Sequence, residues 1–280
     1  MKYALLAVTA VAVAVPAAAQ DTTDRDQYFN GFYVGGTVGI DVQDTGGERF
    51  AFDTNRDGNF DNTVRTVAGA NAFSPGFCGG SALGNNAGAG CGSDDDDVSY
   101  SVRAGVDRRL GTNGLFVAGI LVEASKHEST DTVSAFSTTP ASYTIARGLD
   151  HSFAARGRLG ISPGDGRGLF YVTGGVAYGK MEHDFLTSNT ANSFTQNNDD
   201  DYQLGGQVGG GAEIHLARNI SLGIEYLYQS FEDDDYFVAV GQGSAPATNP
   251  FLLNGGGTNL RLADTDYDLH SFKVGVNFRF

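Results

Sequence analysis

Residues 202–231 read YQLGGQVGGGAEIHLARNISLGIEYLYQSF, two alternating runs joined by a short turn. In the first, Tyr202, Leu204, Val208, Ala212, Ile214 and Leu216 share one face, and Gln203, Gln207, Glu213 and His215 share the other. In the second, Leu222, Ile224, Tyr226 and Tyr228 oppose Ser221, Gly223, Glu225 and Gln229. Side chains of a strand point alternately to opposite faces, so this period of two predicts strands. Ala217-Arg218-Asn219 supplies the turn. The unit is a hairpin of two long strands, each apolar on one side and polar on the other.

The same alternation recurs at residues 31–42, 98–110, 115–126, 149–162, 169–182 and 267–280, which makes eight strands. Each holds ten to fourteen residues, and at ~3.3 Å per residue and a tilt of ~40° that length crosses an apolar layer of ~25 Å. Residues 111–114, 163–168 and 217–219 form short connections, whereas those at about 43–97, 127–148, 183–201 and 232–266 are long. Short turns alternating with long loops predict an all-β fold: an eight-stranded antiparallel up-and-down transmembrane β-barrel, with turns in the periplasm and loops outside. An even strand number returns both termini to the turn side.

A soluble barrel has the same period with its apolar face turned inward. Two features favour the membrane form. The polar faces carry glycine beside charges of both signs: Arg103, Arg156, Arg158, Lys273 and Arg279 against Asp107, Glu123, Glu213 and Glu225. Such groups can pair inside a closed lumen, and this ion-pair network is expected to plug it. The apolar faces place Tyr100, Phe116, Tyr178, Tyr202, Tyr226, Tyr228 and Phe280 near strand ends, as an interfacial girdle requires.

Composition agrees. Among 280 residues there are 33 acidic and 18 basic side chains, 40 glycines and no tryptophan. A formal charge of −15 argues against a nucleic-acid partner. Beyond residue 19 no apolar run approaches the ~20 residues of a transmembrane helix. The four long connections hold 21 of the acids and five of the bases, so the barrel itself is close to neutral and the acidity belongs to the loops. Residues 1–19, with Met1-Lys2, an apolar stretch and Ala17-Ala18-Ala19, read as a secretory signal peptide, leaving 20–280 as the mature barrel. Cys78 and Cys91, an even pair in an exported loop, are expected to form a disulfide.

Three loop features bear on chemistry. Asp53, Asn55, Asp57, Asn59 and Asp61, with Gly58 at the turn, match the oxygen-donor positions of a calcium loop. The bidentate glutamate expected at its twelfth position is Val64, so only weak Ca²⁺ binding would follow, and an Asx-rich turn is the alternative reading. Acid runs at 94–97, 199–201 and 233–235 abut strands at the loop end and suggest a ring that recruits divalent cations and bridges to anionic headgroups. His127, Ser129 and Asp131 share a face, but in that order the histidine stands at one end instead of between its partners, so they read as loop polar residues.

The stretches LFYVTGGVAYG (169–179), GGGAEIHLARNISLGIEYLYQSF (209–231) and HSFKVGVNFRF (270–280) resemble the small eight-stranded surface-antigen barrels of Gram-negative outer membranes, the opacity/porin family, akin to the OmpA-like transmembrane barrel. The resemblance implies an outer-membrane location, a monomer and a surface role. It also implies that the terminal Phe280, after Phe272 and Phe278, is the signal read by the barrel-assembly machinery; the chain stops there, so no peptidoglycan-binding domain is expected to follow.

The expectation is therefore an exported outer-membrane surface protein, not an enzyme, with a role in envelope integrity or adhesion. Its partners would be outer-membrane lipids, the assembly machinery and an extracellular ligand or host surface. A narrow passive channel is the alternative, and a lipid-modifying barrel enzyme the second alternative. No cofactor is expected beyond a weakly held Ca²⁺.

Overall fold

A computed structural model describes residues 28–43, 49–93, 97–111 and 114–280. The signal-peptide reading and Asp94–Asp96 of the first acid run lie outside these residues. The described residues contain fourteen strands, numbered in chain order: β1 Gly31–Gln43, β2 Phe50–Asp53, β3 Gly76–Gly79, β4 Asp97–Leu110, β5 Phe116–Lys126, β6 Thr130–Ser137 and β7 Ala141–Ile161. Then follow β8 Gly168–Thr187, β9 Ser193–Asn197, β10 Asp200–Ala217, β11 Ile220–Glu232, β12 Phe237–Gly241, β13 Thr258–Leu262 and β14 Asp266–Arg279.

Eight of them close into a ring. Every neighbour in the order β1-β4-β5-β7-β8-β10-β11-β14 is paired antiparallel. β14 returns to β1 with Val38 opposite Val274. This is an all-β, eight-stranded, up-and-down barrel, and closure removes the unpaired edges that a sheet in lipid could not satisfy.

The two faces are sorted as the alternation requires. Leu204 and Ile224 point outward, 64% and 59% exposed, whereas Glu213 and Glu225 on the same strands are 2% and 5% exposed. A continuous outer band of exposed Val, Ile, Leu, Phe and Tyr is unstable in water and suits the hydrocarbon of a bilayer. Inward glycine makes room for the large lumen side chains: a Cβ at Gly105 would lie 2.6 Å from the Tyr33 ring, and one at Gly211 would lie 2.7 Å from the Tyr171 hydroxyl.

The long connections contain more order than alternation alone suggests. β7, β8 and β10 run to 21, 20 and 18 residues, beyond the ten to fourteen expected, because their loop-end portions rise past the apolar band. There β6 pairs with the first half of β7, and β3 pairs with β6. A separate four-stranded sheet, β2-β13-β12-β9, draws strands from the first, third and fourth connections. Between them lies an apolar core that includes Phe50, Phe52, Phe73, Tyr143, Val238 and Leu260. The apolar stretch at residues 251–253 divides: Phe251 enters this core, 5.8 Å from the Phe73 ring, while Leu253 is exposed. The loop end of the barrel therefore carries a folded cap.

Candidate functional site: a charge-filled lumen under a folded cap

The structure buries all nine of the charged residues named above inside the ring, none more than 9% exposed. They form two tiers. Near the turn end, Arg158 Nη1 is 2.9 Å from Glu213 and its Nε is 2.7 Å from Asp107. Arg279 meets the same two carboxylates at 2.6 and 2.7 Å. Both guanidinium groups lie over the Tyr33 ring, at 4.8 and 4.6 Å. Bidentate Arg–carboxylate geometry of this kind joins planar forks that hold each other in place.

In the middle tier Arg156 bridges Glu123 and Glu225, each at 2.9 Å. Lys273 Nζ sits 2.9 Å from the other Glu123 oxygen. The Tyr171 hydroxyl donates to Glu225 at 2.8 Å. Arg103 Nη1 is 3.7 Å from Glu225, an ion-pair distance beyond direct hydrogen bonding, while its Nε donates to Asn277 at 3.1 Å. The members come from β4, β5, β7, β10, β11 and β14, so the network stitches the ring across its interior.

A tenth charge joins them. Asp41 on β1 accepts hydrogen bonds from Ser99 and Ser271 at 2.9 and 2.6 Å and lies 2.6 Å from His127 Nδ1. It lies on the same polar face of β1 as Gly35 and Gly39, yet the sequence offers no basic residue nearby to mark it as part of a network. With Asp41 counted, the five bases of the two tiers are matched in number by five carboxylates, although Asp41 itself is held by Ser99, Ser271 and His127 and by none of those bases. His127 is thus held between Asp41 and Ser152, whose Oγ is 3.1 Å from Nε2. Ser129 and Asp131 go elsewhere: Ser129 to the Tyr267 hydroxyl at 3.2 Å, and Asp131 to Arg147 at 2.8 Å.

Side chains gather at both ends of the lumen. At the loop end Arg147 also donates to the Asp264 carbonyl, and His183, 2.8 Å from Asp233, stacks on Tyr236 at 4.0 Å. At the turn end Phe29, fully buried with a positive φ of 52°, inserts beneath Arg279 and packs edge-on against His215. Arg109 ties this segment down by donating to the carbonyls of Tyr28, Gly114 and Gly166. No alternation marks residues 28–30, so this lower plug is invisible to periodicity.

The calcium-like loop is built on its own backbone. The two carboxylate oxygens of Asp53, at the end of β2, accept the amides of Asp57 and Gly58 at 3.1 and 3.0 Å. Asp57 accepts the amide of Asn59 and the side chain of Asn55, which hold its carboxyl below the usual range. Asp61 accepts from Asn62. Among the described residues no group of three or more His, Cys, Asp or Glu is arranged to hold a metal ion. Cys78 and Cys91 are joined by a disulfide, Cα–Cα 6.2 Å, which closes the segment lying over β6. Phe280 is exposed, with its amide donating to the Phe32 carbonyl at 2.9 Å.

Comparison with solved structures finds the outer membrane protein OprG from Pseudomonas aeruginosa, 12% identical, covering 90% of this chain and 98% of that one with a TM-score of 0.47. Neisserial surface protein A is 11% identical over 90% and 98%, with a TM-score of 0.39. Ail of Yersinia pestis is 8% identical over 90% and 99%, with a TM-score of 0.34. No curated protein matches the chain. The outer membrane protein beta-barrel domain family matches residues 4–280. A closed ring of eight antiparallel strands, apolar outside and charged within, together with a family match over nearly the whole chain, establishes that the chain belongs to the outer membrane protein beta-barrel domain family.

Proposed function

We propose that this protein is a surface barrel of the Gram-negative outer membrane, exported by its N-terminal signal peptide, that acts through its extracellular cap in envelope integrity or adhesion and passes no solutes through its lumen. The single observation that carries this reading is the buried ion-pair network that crosses the lumen. Five cations and five carboxylates occupy a barrel whose eight strands leave space for little more than side chains. Opening a path would require separating buried ion pairs, which costs several kcal/mol for each uncompensated charge. The cap gives the outward function a physical basis. Its core packs side chains from all four connections against one another, and recognition evolves on loops held by a scaffold. Phe280 is the residue offered to the assembly machinery. Planar-bilayer recording tests the proposal: a stable open channel would refute it.

A further inference from the structure

Five outward-facing side chains stand in one row on the extracellular rim. Tyr100 on β4 is opposite Lys126 on β5, Lys126 is opposite His151 on β7, His151 is opposite Lys180 on β8, and Lys180 is opposite Tyr202 on β10. The chain has four lysines: Lys2 in the leader, Lys273 in the lumen, and the two in this row. Paired positions on neighbouring strands are about 5 Å apart, so the lysines stand about 10 Å apart with the imidazole between them. Across β11, β14 and β1 the same rim carries Tyr226, Tyr228 and His270 and, among the described residues, no lysine or arginine.

The row lies one pleat toward the loop end from the outward-facing Phe153 and Tyr178. Tyr178 stacks on Tyr202 at 5.0 Å, and His151 Nε2 is 2.9 Å from the Tyr202 hydroxyl. A β-bulge between Leu149 and His151 turns Asp150 toward the row, where its carboxylate meets Lys126 and lies 2.7 Å from His151 Nδ1. Lys180 pairs with Glu182 and Asp200 at 3.1 and 2.8 Å, but those side chains are 56% and 58% exposed. Exposed pairs of this kind contribute little and exchange readily. Each ammonium has three donors, so Lys126 keeps donors beyond its single carboxylate.

We propose that this row docks the phosphate-bearing headgroup of an outer-leaflet lipid, with Lys126 and Lys180 taking phosphate oxygens and Tyr100 and Tyr202 bracketing the headgroup at the interface. The inference rests on the outer-membrane reading above. Phosphate carries more charge than a carboxylate and is a better acceptor for an ammonium at an interface of reduced dielectric. The apolar band below supplies the surface for the acyl chains.

The test uses the full chain in neutral detergent, titrated with bisphosphorylated lipid A, with its dephosphorylated form and with inorganic phosphate, and read by native mass spectrometry. Wild type is expected to hold the phosphorylated lipid about tenfold more tightly than the dephosphorylated one. Lys126→Gln with Lys180→Gln removes that preference, Lys126→Arg with Lys180→Arg keeps it, and Arg108→Gln at the opposite rim leaves it unchanged. Equal binding of both lipids by wild type, or an undiminished preference in the double Gln variant, overturns the proposal. Displacement of the lipid by millimolar inorganic phosphate alone assigns the row to free phosphate and overturns the lipid assignment. Heat-modifiable mobility of every sample separates the failures: a wild type that shows no folded barrel sinks the outer-membrane reading itself, whereas folded variants that bind like wild type sink only the docking row.

Discussion

Lys273 Nζ lies 2.9 Å from Glu123 Oε1, although their strands, β14 and β5, stand three places apart around the ring. Glu123 also holds Arg156, so one carboxylate neutralises parts of two cations. Glu123→Gln therefore leaves buried positive charge without its partner and is expected to cost about 3–5 kcal/mol. Urea unfolding of the detergent-purified barrel, followed by heat-modifiable mobility, measures that loss. Adding Lys273→Met to the Gln variant should recover part of it, and independent costs for the two changes would show that the pair is not coupled.

The order Asp41, His127, Ser152 is that of a nucleophilic relay, but all three residues are 1% exposed. Here the serine terminates a hydrogen-bond chain and cannot be reached by a substrate. A fluorophosphonate probe is expected to leave Ser152 unlabelled in the folded barrel, with Ser152→Ala indistinguishable from wild type in that assay. Stoichiometric labelling at Ser152 would establish a catalytic centre instead.

Reduction of the Cys78–Cys91 disulfide removes the closure of the segment over β6 without touching the ring. In the chain-entropy view the loop closure is worth roughly 3 kcal/mol. Limited proteolysis after reduction is expected to cut within residues 76–93 while the barrel still migrates as folded. Simultaneous loss of the folded band would mean that cap and barrel unfold as one unit.

Tyr236 and Tyr143 lie in the cap, outside the membrane-spanning segments. Burial raises both phenols above their ordinary value, and for Tyr236 the carboxylates of Asp199, Asp184 and Asp233 push in the same direction. The folded cap thus holds these protons more tightly than the unfolded chain does. Their contribution to stability is complete below about pH 10 and is lost as pH rises through the folded values. Phenolate absorbance, recorded together with protease sensitivity, should show the cap opening above about pH 10 while the barrel persists, and Tyr143→Phe with Tyr236→Phe should flatten that dependence.

The barrel was legible in the sequence because a lipid-facing strand has one physical constraint per face, and alternation records it directly. Residues 202–231 alone carry the inside–outside sorting of Glu213 and Ile214. The cap was not legible, because the strand portion at residues 141–147 is buried on both faces, with Tyr143 and Ile145 in the core and Ser142 and Thr144 also covered. A strand covered on both sides has no reason to alternate. Phe29 escaped for another reason: a plug is a single side chain set by a backbone turn, with no period to read. Asp41 lay on the correct face, but its partners are serines and a histidine, which leave no charge pattern in the sequence.

Single-channel recording in a planar bilayer tests the proposed closure of the lumen most directly. Purified wild-type protein, shown to be folded by its mobility and inserted across a symmetric membrane, is predicted to give no stable conductance steps over the bare bilayer. A steady open state on the nanosiemens scale would contradict the account, because the proposed plug depends on Arg156, Glu123 and Glu225 staying joined across the lumen.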